Sequence, residues 1–93
     1  MKKVWAIEQD WADDDELNGH SISLYEDEEK ARYVFNNLVK ESKTENWGGV
    51  INNDGLVADG YCLEESPNSF SIYEDGFYSS NHEEIKLVQL DLN

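Results

Sequence analysis

Residues 27–43, DEEKARYVFNNLVKESK, decide the fold class. Ala31, Val34, Phe35 and Leu38 recur at i, i+3, i+4 and i+7, which on a helix gathers them into one apolar stripe about 100° wide. Asp27 stands at the N-cap, Glu28 and Glu29 in the first turn and Lys40 and Lys43 in the last. Each carries the sign that the helix dipole favours. The spacing therefore predicts one amphipathic helix whose stripe must be covered by the flanking chain.

On its N-terminal side, KKVWAIEQ (residues 2–9) is apolar on both strand faces, with Val4 and Ala6 opposed to Trp5 and Ile7, as in an interior strand. DWADDDELNG (10–19) reads as a solvated acidic loop ending in the Asn18-Gly19 turn signal. His20 to Tyr25 alternates, predicting a second strand with Ile22 and Leu24 inward and Ser21, Ser23 and Tyr25 outward.

On the C-terminal side, Gly48-Gly49 ends the helical region and Trp47 is expected to fold back onto the stripe. Val50-Ile51 and Leu56-Val57 flank the turn Asn52 to Gly55. Tyr61 to Glu64 is extended up to the break at Pro67. Ser69–Tyr73 and Phe77–Ser79 flank Asp75-Gly76, a strong hairpin signal. Glu84 to Leu92 closes the chain, its apolar parity changing between Leu87 and Val88, which implies a bulge or burial on both faces. The order β-β-α-β-β-β predicts an α+β domain over residues 1–93, an antiparallel sheet of five or six strands with one helix across a face.

Twenty-one acids against seven bases leave a net charge of -14, beyond the about 2–8 charges that solubility asks of a small domain. Such a surface repels nucleic acid and anionic membranes, so the expected partner is a basic protein. Residues 1–29 carry net -8, residues 30–47 net +2 and residues 48–93 net -8, so the helix holds most of the cations. The helix entry, Glu26 to Glu29, is expected to meet the loop of Asp13 to Glu16. Later acids come as the adjacent pairs Glu64-Glu65, Glu74-Asp75 and Glu83-Glu84. On a strand each pair sends at least one carboxylate outward, and carboxylates two apart repeat every about 6.7 Å.

The one cysteine, Cys62, has no internal partner for a disulfide, which fits a reducing compartment. The N-terminus reaches Glu8 after four apolar residues, too few for a signal sequence, and no window approaches 18 apolar residues. A cytoplasmic protein of a bacterial host cell is expected. Consecutive acids at 13–16 are poor metal-ligand spacing. The calcium-loop pattern fails around Gly55, where the first position is Val50 and the twelfth Tyr61. No nucleophile signature surrounds Cys62, and no phosphate loop or hydrolase motif occurs, so neither metal, cofactor nor enzymatic activity is expected. Aromatics beside carboxylates suit an interface for Arg and Lys, which singles out Trp11 and Tyr25 as anchors.

With QDWADDDEL, YEDEE, LEESP, IYEDGF and NHEEI on a short chain, the composition resembles that of small acidic inhibitors of phages and mobile elements, including DNA-mimic anti-CRISPR and anti-restriction proteins. The resemblance implies a non-enzymatic inhibitor that occupies the basic groove of a host defence or nucleic-acid-handling protein. Immunity proteins and antitoxins that neutralise basic nuclease toxins are similar in length and acidity and stand as the alternative. The expected partner-binding residues are Trp11, Asp13, Asp14, Asp15, Glu16, Tyr25, Glu26, Asp27, Glu28, Glu29, Glu64, Glu65, Glu74 and Asp75. Changing Asp13, Asp14 and Asp15 together to Lys is expected to weaken partner binding strongly with an unchanged far-ultraviolet circular dichroism spectrum; undiminished binding would remove that loop from the interface.

Overall fold

A computed structural model describes residues 2–12, 18–52, 54–74 and 81–92. Five strands, β1 (Lys2–Ala12), β2 (Asn18–Tyr25), β3 (Tyr61–Ser66), β4 (Ser69–Glu74) and β5 (His82–Leu92), form one open antiparallel sheet in the order β2-β1-β5-β4-β3. A single helix, α1 (Glu28–Glu41), runs on into a wide π-helical turn over Ser42–Asn46. The class is the α+β one that the sequence predicts. Among the described residues no helix is long and apolar enough to cross a membrane.

Helix α1 forms where its pattern places it. The side chain of Asp27 accepts a hydrogen bond from Glu29 N at 3.0 Å, satisfying a donor that the first turn leaves free. Ala31 and Phe35 are buried, and Val34 and Leu38 pack around them. The covering surface is one sheet face, where Ile7, Phe70, Ile72, Ile85 and Leu87 are buried and Trp5 and Tyr25 lie at the margin. Arg32 fixes the docking angle by donating to Pro67 O and, at 2.6 Å, to Asn68 Oδ1 in the β3–β4 turn.

The pairing of β1 with β5 is unbroken from Lys2↔Leu92 to Ala12↔His82. Of the two outcomes left open for the parity change in β5, a bulge is therefore excluded. Ile85 and Leu87 face the helix, whereas Val88 and Leu90 face the other way, opposite Ala6 and Val4.

Three expectations need correction. The acidic loop begins later than its charge suggests, because Asp10, Trp11 and Ala12 continue β1, and Asn18 and Gly19 already belong to β2. Pairing of Asp10 with strands on both sides, and of Asn18 with Ala12 of β1, outweighs the low strand propensity of Asp and Asn. In β2 the assignment of faces is inverted. Ile22 and Leu24 are 54% and 64% exposed, and Tyr25 is half-buried against the core. The register forces this, since Leu24 pairs with Ala6 and Ile22 with Glu8 on the face without the helix. Finally, the chain continues the β4–β5 ladder from Tyr73↔His82 to a 3.0 Å bond from Glu74 N to Asn81 O, so the partner of β4 is β5. The expected turn at Asp75-Gly76 and the strand Phe77–Ser79 fall outside the described residues.

Between helix and β3, Ile51 and Val57 form an isolated bridge, as their flanking turn signal suggested. Asn52 Oδ1 accepts from Asp54 N and Leu56 N, and Gly55, at φ +80°, supplies the left-handed backbone that closes this turn. Phe70 is fully buried at the centre of the core. Phe70→Ala should cost about 3–5 kcal/mol of unfolding free energy in chemical denaturation; a loss below about 1 kcal/mol would show that the core is not centred there.

Candidate functional site

The sheet has two ends of different electrostatic character. At one end β1 and β4 finish and β2, β3 and β5 begin. Asp10, Glu74, Glu83 and Glu84 lie on this rim, and Asp59 precedes β3 by two residues. No Lys or Arg occurs in residues 4–29 or 44–85, the segments that build it. Asp13 to Glu16 and Asp75 lie outside the described residues; in the sequence they adjoin Ala12 and Glu74 of the same rim.

Across the face without the helix, Asp10 stands directly opposite Glu84. Like charges so placed repel and cost stability. Two neighbours offset this: the His20 imidazole Nδ1 lies 2.5 Å from Asp10 Oδ1, and the Lys86 ammonium Nζ lies 3.2 Å from Glu84 Oε1. Both pairs are well exposed, so each contributes no more than about 1 kcal/mol.

On the helix side the same rim opens into a cleft of about 560 Å³ lined by Trp11, Asn46, Trp47, Val50, Asn81, His82 and Glu83 among others. The π turn builds its wall. Trp47 N donates to Ser42 O at 2.8 Å, the i to i+5 closure that widens the last turn and swings Asn46 and Trp47 toward the sheet. Trp47 meets Tyr61 edge-on at 6.2 Å between ring centroids. Asn46 Nδ2 donates to Glu83 Oε2 at 3.3 Å. Opposite, Trp11 lays its indole over Gly19, its cross-strand partner, where an added Cβ would stand 2.1 Å from the ring. Gly19 is thus required by the close approach of that ring.

The acidic residues singled out from the sequence do not converge on one surface. Glu26 to Glu29 sit at the far end of β2 from the acidic segment, and seven strand steps from Asn18 to Tyr25 span about 24 Å. The expected meeting of Glu26 to Glu29 with Asp13 to Glu16 falls outside the described residues. Glu64 and Glu65 alternate across edge strand β3, with Glu65 Oε1 held 2.5 Å from Lys43 Nζ. Tyr25 is occupied in core packing, whereas Trp11 is 42% exposed at the cleft. Glu74 Oε2 accepts from Asn81 Nδ2 at 2.9 Å and belongs to the rim.

Sequence reasoning missed Asn46, Trp47, Val50 and Glu83 as parts of a site. They come from separate segments that only the fold unites. The one available signal was the adjacent pair Glu83-Glu84, which on a strand must put one carboxylate on each face. Compared with family models, with curated proteins and with solved structures, the chain finds no match.

Proposed function

We propose that the chain is a non-enzymatic binding protein that engages the basic nucleic-acid-binding surface of a host defence or nucleic-acid-handling protein through acidic mimicry of a phosphate backbone. The observation that carries the reading is the rim itself, where Asp10, Asp59, Glu74, Glu83 and Glu84 gather at an end of the sheet built from segments without Lys or Arg. The fold spends Lys43 on Glu65 and Arg32 on the β3–β4 turn, away from the rim, and sets one cation beside it, Lys86 on Glu84. The remaining excess of negative charge has no counterpart within the chain. A basic groove supplies one, and long-range attraction then speeds encounter in a salt-dependent way.

Function of this kind places the protein in the cytoplasm of a bacterial cell, where such a target works. The rigid β1–β5 ladder holds Asp10 and Glu84 at fixed separation, which is what distinguishes a mimic from a disordered acidic tail. The immobilised chain is expected to retain a nucleic-acid-binding protein from a bacterial lysate, and that protein should elute both with rising salt and with duplex DNA at constant ionic strength. Retention indifferent to duplex DNA would overturn mimicry. A retained nuclease toxin would turn the reading toward an immunity protein.

A further inference from the structure

Glu83 has two carboxylate oxygens in different circumstances. Oε2 takes the hydrogen bond from Asn46, but Oε1 is buried and has no hydrogen-bond partner among the described residues. A desolvated carboxylate oxygen without a donor is costly, and buried polar atoms are almost always satisfied. The same carboxylate lines a cleft with two indoles, Trp11 and Trp47. Indole faces carry negative quadrupole charge and attract cations, most strongly where water is excluded.

We propose that this cleft receives the guanidinium of an arginine side chain from the basic partner, an N–H donating to the Glu83 carboxylate as that group turns to bring Oε1 into the cleft, while the cationic plane lies against an indole. Guanidinium fits this set better than ammonium. It is planar, stacks on aromatic faces and is weakly hydrated, so it enters a half-dry cleft at lower cost. The volume of about 560 Å³ falls among those of small-ligand sites and leaves room for the aliphatic stem. No Lys or Arg is among the described residues that line the cleft, and Lys43 of the π turn is held by Glu65. The inference rests on the proposed function, for which it names the contact that converts diffuse attraction into a located one.

The test is titration of the full chain with Nα-acetyl-arginine-N-methylamide and, separately, with its uncharged citrulline analogue, following the indole N–H resonances. The arginine derivative should shift Trp11 and Trp47 saturably and leave Trp5, packed against the core, in place. Glu83→Gln keeps the shape and is expected to lower the affinity at least about tenfold through loss of the charge-assisted bond. Glu8→Gln, on the opposite face of the sheet and outside the rim, should stay within about twofold of the parent. Equal losses in the two variants, or equal binding of citrulline, would overturn the proposal. If the arginine derivative gives no saturable shift while the DNA-competitive retention persists, the cleft assignment fails and the basic-partner reading stands. If retention fails, that reading falls on its own measurement.

Discussion

The register of β1 against β5 is the constraint from which the remaining geometry follows. Eleven consecutive pairs join the two ends of the chain, Lys2↔Leu92 through Ala12↔His82. Because strand side chains alternate faces, this alignment decides that Ile7, Ile85 and Leu87 lie under the helix and that Ala6 and Val88 do not. It sets Trp11 opposite Glu83 on one face and Asp10 opposite Glu84 on the other. A slip by one residue would invert every one of these relationships. The apolar pairs near the middle of the ladder hold the register firmly enough for its far end to carry opposed carboxylates.

Charge is distributed by the same alignment. The helix sets cations along its flank, where Arg32 ties to the β3–β4 turn and lies 5.7 Å above the Phe35 ring centroid, and Lys43 just past its end ties to β3. These contacts serve the fold. The segments that make the rim, residues 4–29 and 44–85, hold no Lys or Arg; at its margin His20 meets Asp10 and Lys86 meets Glu84. Self-repulsion of this kind destabilises a folded chain. Its retention is intelligible on the proposed function, in which the rim meets a cation from outside and the cleft of Trp11, Trp47 and Glu83 is the seat proposed for it.

Much of the architecture was legible in the sequence, and the parts that were not share a cause. Helix α1 was legible because its signals are local: Asp27 at the cap, and Ala31 and Phe35 on one stripe. The strand pattern of β2 was legible as alternation, yet alternation in an edge strand says only that its faces differ. Which face is covered depends on the pairing of Leu24 with Ala6, a contact 18 residues apart in sequence. Trp11 was recognised as a candidate anchor, but the acidic run hid its membership of β1. The cleft was illegible because its walls come from β1, the π turn and the start of β5, three segments whose union is a property of topology.

The measurement that bears most directly on this account is the cross-strand pairing of β1 and β5 in solution, read from nuclear Overhauser contacts between backbone protons. The account predicts contacts between residues paired as Val4 with Leu90, Ile7 with Leu87 and Trp11 with Glu83, in one unbroken series. A series displaced by one residue would move Glu83 to the face away from Trp11 and the helix. That result would contradict the fold's central alignment, and with it the acidic rim and the cleft.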